Sequence, residues 1–363
     1  MGAIGRAAIF VEPNKPLVVD EVEFPDPGPD QILVKLFASG VCHSQLHTMS
    51  RPVRPGHRLP ALLGHESTGV VAAKGADVKH VKEGDHVITT WVDRDNSTTT
   101  QPLVAHALNE RAQYSARWKN KQVMHSAATW AEYALAQERV VLPLSKDMAT
   151  DVTAIVGCAV MTGAGAIVNT LQVQAGQSVA VFGAGGIGLC AIAAASIVEA
   201  RPIIAVDVIE EKLAFARRFG ATHTVNGRDT DAVKSIQEIT GGGAEYAVDA
   251  VGLAQTQEQI LRAVRAGYSG LNRGGTALLI GLTPAGAKPV LDTSLFAGSR
   301  SFTRTSGGDC RPDRDFPLFL RWYRDGKLRL NELVTNRYRL DQINTAVDDL
   351  EHGRILGRGI LTF

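Results

Sequence analysis

Residues 179–200 read VAVFGAGGIGLCAIAAASIVEA. An unbroken apolar run meets three glycines spaced G-x-G-x-x-G (Gly183, Gly185, Gly188) and passes straight into a long Ala/Ile-rich run. Strand, turn, helix is the order in which that spacing has a physical purpose. Gly183 permits the tight turn, Gly185 lets a pyrophosphate approach the backbone, and Gly188 lets helix and strand pack closely. Gly186 and Ile187 open the helix, whose free backbone amides suit phosphate oxygens. The next apolar run, PIIAVDVIEEK, carries Asp207 at its end. A carboxylate there accepts both ribose hydroxyls and repels a 2′-phosphate, and no arginine stands beside it, so NAD(H) is favoured over NADP(H).

Outward from this stretch, short Val/Ile/Ala runs alternate with longer helical patterns, as in AEYAVDAVG, TQEQILRAVRAGY and GGTALLIGL. That alternation predicts βαβ units and a parallel sheet. The first third reads differently. AAIFVE, PLVVDEVEF, QILVKLFASG and GDHVITTWV alternate or run apolar between Gly, Pro and Asp turns, which predicts a twisted sheet or partial barrel with little helix. Residues 93–130 break that pattern. Leu103, Ala107, Leu108, Tyr114 and Trp118 fall at roughly helical spacing, predicting an atypical, partly helical lobe. The expected division is 1–158 for a first domain, 159–299 for the dinucleotide domain, and 300–363 for a return to the first.

A chain of 363 residues suits two domains. Its net charge of +1 gives no electrostatic case for nucleic acid or an anionic membrane surface. The longest apolar stretch is too short and Ala-rich to span a bilayer, and the N-terminus lacks the apolar core of a signal peptide. Cys42, Cys158, Cys190 and Cys310 show no disulfide-framework spacing. A reducing, cytoplasmic setting is expected, where a thiol stays free to bind metal.

Three soft-ligand positions then need a reading: Cys42 in VCHSQLHT, His65 beside Glu66 in LLGHESTGVV, and Cys158 in VGCAVMTGAGA, where β texture gives way to βαβ. Singly, each has a bland explanation, since buried cysteine is usually a small hydrophobe. Together they supply the three N/S ligands that a catalytic zinc takes, leaving a fourth position for water or substrate.

The motifs GVCHSQLH, GHESTGVV, GDHVI, GCAVMTGAGA, VFGAGGIGL, VDVIEEKLAFARRFGAT and RGILTF, in that order, cover nearly the whole chain. By them it resembles the zinc-dependent medium-chain alcohol dehydrogenases. The resemblance implies an α/β architecture: a Rossmann domain with a doubly wound parallel sheet, and a β-rich GroES-like catalytic domain. It implies Cys42, His65 and Cys158 as ligands of one catalytic Zn2+, with Glu66 a carboxylate near the metal. Ser44 would take the alcohol proton and pass it through the nicotinamide ribose to His47. His43 and Arg358 would contact the pyrophosphate, Thr162 and Ile187 would press the nicotinamide toward the metal, and Lys212 would join Asp207 at the ribose. Trp91 would line the substrate pocket. The implied activity is NAD-linked interconversion of a primary alcohol, aromatic or allylic ones among those admitted, and its aldehyde. A homodimer or homotetramer is implied, with FTRTSGG as the edge strand that pairs across a two-fold axis.

The chain departs from the family pattern twice. Relatives hold a second, structural zinc with four closely spaced cysteines, but no cysteine lies between Cys42 and Cys158. A site made of four thiolates, and with it a structural zinc, is therefore not expected. Gln45 stands where many relatives carry an aspartate directed at the zinc-binding histidine. Two rival readings stay open at this point. One is a zinc-free reductase of the same superfamily acting on C=C or C=N bonds, and the other is a non-catalytic nucleotide-binding relative.

Overall fold

A computed structural model describes residues 2–51, 59–94, 114–125, 128–268, 273–284 and 286–363. The chain forms two compact units: Met1–Cys158, Arg311–Leu320 and Leu330–Phe363 make the first, Ala159–Cys310 and Arg321–Arg329 the second. The return to the first unit therefore comes later than residue 300. The strand Ser301–Arg304 pairs in parallel with Thr276–Leu279, and those ladder bonds keep the chain in the second unit through Cys310. No helix among the described residues is long and apolar enough to cross a membrane.

In the first unit, Gln31–Val41 is the central strand and is buried along most of its length. It pairs antiparallel with Ser67–Lys74, Tyr133–Gln137 and the C-terminal strand Arg358–Thr362. His86–Thr89, Val141–Leu144 and Val334–Arg339 extend the sheet. A small closed barrel stands beside it, built from Ala3–Phe10, Val18–Phe24, Tyr114–Trp118, Lys121–His125 and Ala61–Leu62.

The barrel corrects one expectation. Tyr114 and Trp118 belong to a β-hairpin and not to a helix. Lys119 and Asn120 take φ of 46° and 62°, the left-handed pair that a two-residue hairpin turn needs to match strand twist. Side chains reinforce the turn. Trp118 Nε1 donates to Asp20 at 2.9 Å, Lys119 Nζ lies 2.9 Å from the same carboxylate, and the ammonium sits 5.1 Å from the Trp118 ring centre. Lys119, then Trp118, holds the Asp20 carboxyl down at about 2. Leu103, Ala107 and Leu108 lie outside the described residues.

The second unit is a six-stranded parallel sheet, among the described residues. Its order is His223–Asn226, Ile203–Asp207, Val179–Phe182, Tyr246–Asp249, Thr276–Leu279, Ser301–Arg304. Strand order reverses at Val179–Phe182, the place where doubly wound sheets open a crevice at their carboxyl ends. Val179–Phe182 is buried on both faces, and the helix Gly186–Ile197 is buried from Gly188 to Ala195, so its uniformly apolar sequence suits its place. Glu210 and Glu211 in the first turn of Glu210–Arg218, with Arg217 and Arg218 in the last, complement the helix dipole.

Candidate metal centre and dinucleotide cradle

Cys42 follows the central strand and precedes the helix His43–Ser50. His65 lies in the turn between Ala61–Leu62 and Ser67–Lys74, and Cys158 follows the 3-10 turn Val152–Gly157. These three points, far apart in sequence and all in the first unit, bring two sulfurs and a ring nitrogen within 4.8 Å of one another. Both cysteines are buried and His65 is half-buried.

Glycines allow the approach. A side chain on Gly40 would run into the Glu66 carboxylate, and one on Gly157 would meet the Thr89 carbonyl. Gly64 takes φ of 93°, which only glycine adopts without strain. Buried hydrogen bonds pin the surrounding backbone. Trp130 Nε1 donates to the Gly40 carbonyl at 3.0 Å, and Ser39 Oγ donates to the Glu66 carbonyl at 3.0 Å. Ser39 Oγ also meets Thr129 Oγ1 at 2.8 Å, and Thr90 Oγ1 donates to the Gly157 carbonyl at 2.7 Å.

The electrostatics favour a cation. A hydrogen bond from Cys158 lowers the Cys42 thiol far below its ordinary range against the penalty of burial, and the Arg358 and His65 charges assist. Cys158 moves the other way, raised by the same bond and by burial. The sulfur pair thus shares one proton in a buried site, and a divalent ion that displaces it meets two thiolates and an imidazole. That donor set fits zinc.

Around the ligands, Ser44 Oγ donates to Cys42 Sγ at 3.3 Å. Gln45 Nε2 lies 2.7 Å from His65 Nδ1. The rings of His43 and His47 are 5.8 Å apart. Burial lowers His47 below the ordinary histidine value, and the neighbouring His43 and Arg51 charges lower it further. The half-buried Trp91 has no hydrogen-bond partner for its indole nitrogen among the described residues.

Arg358 does not stand free. Its guanidinium is 5% exposed and donates to the wholly buried Glu66. Burial works against that charge, but Glu66 and the two sulfurs outweigh it and hold Arg358 cationic. The resemblance directed Arg358 to a pyrophosphate, and sequence reading missed this pairing. It also missed Ser39, a polar residue set inside an apolar strand, and Thr129 and Trp130, which lie just before the strand Tyr133–Gln137.

In the second unit the three glycines differ in what holds them. Gly183 takes φ of 94°. A Cβ on Gly188 would strike the Gly183 carbonyl, whereas one on Gly185 would point into open space. That space is the cradle a phosphate needs and a side chain would fill, so the loop fits a dinucleotide. Asp207 Oδ2 accepts from Ala184 N at 2.8 Å, and Oδ1 from Val208 N at 2.8 Å and Ile209 N at 3.1 Å. Oδ2, with one bond, keeps a lone pair for a ribose hydroxyl. Lys212 lies in the first turns of Glu210–Arg218, Ile187 in the first turn of Gly186–Ile197, and Thr162 is buried in Ala159–Gly165.

Comparison with known proteins agrees with both units. The alcohol dehydrogenase GroES-like domain model matches residues 28–146, and the zinc-binding dehydrogenase model matches residues 186–325. A class-3 alcohol dehydrogenase of Cereibacter sphaeroides is 31% identical, with 99% of each chain covered. Among solved structures, an alcohol dehydrogenase zinc-binding domain protein from Burkholderia ambifaria is 31% identical over 100% of both chains with a TM-score of 0.90. Benzyl alcohol dehydrogenase from Acinetobacter calcoaceticus is 30% identical over 99% of both chains with a TM-score of 0.88. With the GroES-like and parallel-sheet architecture in place and a thiolate–imidazole group at its expected ligands, the chain belongs to the zinc-dependent medium-chain alcohol dehydrogenase family.

Proposed function

We propose that this oxidoreductase interconverts a primary alcohol and its aldehyde using NAD(H) and one zinc ion. The observation that carries the reading is the approach of the Cys42, His65 and Cys158 ligand atoms to within 4.8 Å. When bound, zinc supplies Lewis acidity toward the substrate oxygen and NAD supplies the hydride acceptor. Cys42, His65 and Cys158 hold the metal and leave a position for the substrate oxygen. The glycine loop and the Gly186–Ile197 helix start bind the pyrophosphate, and Asp207 holds the ribose, selecting NAD over NADP.

Ser44 takes the hydroxyl proton and His47 receives it. The depressed affinity of His47 for protons keeps its ring neutral and able to accept near neutral pH. Thr162 and Ile187 orient the nicotinamide, Lys212 supports the ribose, and His43 contacts a phosphate. Trp91 shapes the alcohol pocket, and the benzyl alcohol dehydrogenase likeness makes aromatic primary alcohols the first substrates to try. The chain is proposed to work as a cytoplasmic homodimer or homotetramer.

Zinc quantification of the purified chain, paired with NADH-linked turnover of aliphatic, allylic and benzylic alcohols, tests this reading. About one catalytic zinc per chain and faster turnover with NAD than NADP are expected. Full activity in zinc-free protein would overturn it.

A further inference from the structure

Two carboxylates end the strands on either side of Val179–Phe182. Asp207 closes Ile203–Asp207 and Asp249 closes Tyr246–Asp249, and both strands run parallel to the middle one. Asp207 keeps a lone pair toward the crevice, whereas Asp249 is 0% exposed and cannot reach a ligand. Its partners among the described residues are neutral donors from the turn and helix that follow it. Oδ1 accepts from Val251 N and Gly252 N, each at 3.0 Å, and Oδ2 accepts from Gly252 N at 3.1 Å. Thr256 Oγ1 lies 2.9 Å from Oδ1. A buried carboxylate held by neutral donors alone is costly to keep, and burial raises its pKa against the pull of those donors. What the charge secures is the turn, since donors bond more strongly to an anion than to a neutral oxygen.

That turn is packed between its neighbours with little slack. A Cβ on Gly183 would meet the Val251 side chain, one on Gly252 would meet the Leu282 carbonyl, and one on Gly281 would meet the Gly252 nitrogen. Gln257 is buried, with Nε2 3.3 Å from the Gly252 carbonyl and 2.7 Å from Thr283 Oγ1. It ties the turn after Tyr246–Asp249 to the one after Thr276–Leu279. Along this edge Val251, Leu253 and Leu282 stand exposed, apolar side chains kept in solvent at the carboxyl ends of the strands.

A dinucleotide crosses a doubly wound sheet where the strand order reverses. With Asp207 at the adenosine ribose and the pyrophosphate on the glycine loop, the nicotinamide half falls on the opposite side, over the turns after Tyr246–Asp249 and Thr276–Leu279. We propose that Asp249, with Thr256 behind it, is a positioning residue for the nicotinamide half of the cofactor, acting through the Val251–Gly252 turn that it holds against the glycine loop. This rests on the reading that the glycine loop and Asp207 bind NAD(H).

The test uses the full zinc-loaded chain and compares wild type, Asp249→Asn, Thr256→Val and Thr256→Ser. NADH affinity is followed by fluorescence, 5′-AMP affinity by competition, and folding by urea unfolding. Asp249→Asn keeps the shape but loses the charge and one acceptor. It should bind NADH about 10-fold more weakly, the effect of losing one bond to a charged group, with 5′-AMP affinity and zinc content at the wild-type level. Thr256→Val should move the same way by less, and Thr256→Ser, which keeps the hydroxyl, should bind NADH as wild type does. A carboxylate that served only stability would lower the unfolding midpoint and leave the NADH to 5′-AMP affinity ratio unchanged.

A folded Asp249→Asn that binds NADH as tightly as wild type, or that loses 5′-AMP to the same extent, would overturn the proposal while leaving the cofactor reading intact. Should Asp249→Asn fail to fold, the Thr256 pair decides, and equal NADH affinity in Thr256→Val and Thr256→Ser would overturn it. Wild type that binds neither nucleotide would overturn the cofactor reading and the proposal with it.

Discussion

The glycine loop and the metal group place similar demands on geometry and meet them in opposite ways. The loop is local: Gly183, Gly185, Gly188 and the helix behind them follow one another closely, and Gly183 and Gly188 are each fixed by a φ or by one near contact. The metal group is dispersed. Its ligands come from residues 42, 65 and 158, and Ser39, Thr90, Thr129 and Trp130 fix the backbone around them through carbonyl and hydroxyl contacts. A local device should fail by distortion of one turn. A dispersed one should fail through its distant supports as well as through its ligands.

The largest effect separates the two regions outright. His65→Ala or Cys42→Ser should abolish turnover and zinc uptake while NADH binding, followed by fluorescence, stays at the wild-type level. Gly188→Ala should do the reverse. Its added methyl meets the Gly183 carbonyl, an overpacking of about 1–3 kcal/mol, so NADH affinity should drop roughly 5- to 150-fold if that cost falls on binding, with zinc content unchanged. Loss of zinc in Gly188→Ala would show that the two devices are coupled and not independent.

A smaller effect concerns proton acceptance. His47 is depressed first by burial and then by His43 and Arg51, so alcohol oxidation should persist below pH 6.5, the ordinary value for histidine, and fall once the ring is protonated. A kcat/KM profile against pH should lose that acid limb in His47→Gln. The same depression carries a sign for stability. The unfolded chain binds the His47 proton more readily than the folded one, so this residue's contribution falls as pH drops through the ordinary histidine range.

The smallest effect probes the distant supports. Trp130→Phe keeps an aromatic ring but leaves the buried Gly40 carbonyl without its donor, a loss of about 1–3 kcal/mol in denaturant unfolding. It should also quicken zinc release, although Trp130 is not a ligand. Zinc release equal to wild type would mean that the support stabilises the fold without positioning the ligands.

This contrast also explains what could be read from the chain. The parallel sheet and its cradle were legible because a strand, three glycines, a helix and an acid follow one another in sequence, each with a local reason. The ligands Cys42, His65 and Cys158 were legible as residue types and through family resemblance, but not as a geometry, since nothing in their spacing forces three distant turns together. The Glu66–Arg358 pair was beyond reach, because it joins residues 292 apart. The hairpin was misread for a subtler reason. Tyr114 and Trp118 lie four apart, a spacing that suits one face of a helix and also, being even, one face of a strand. The deciding signal was the left-handed pair Lys119–Asn120 that follows them.

The strand that carries Arg358 lies directly against the strand that leads into Cys42. Its five residues, with Phe363 N donating to the Phe37 carbonyl at 3.1 Å, join the central strand to Val334–Arg339. During synthesis the N-terminal half therefore emerges with its sulfur and imidazole donors but without the guanidinium that balances Glu66. That balance is reached only once residues 358–362 have left the ribosome, so a chain cut short before Arg358 should leave Glu66 unbalanced in a centre assembled far upstream.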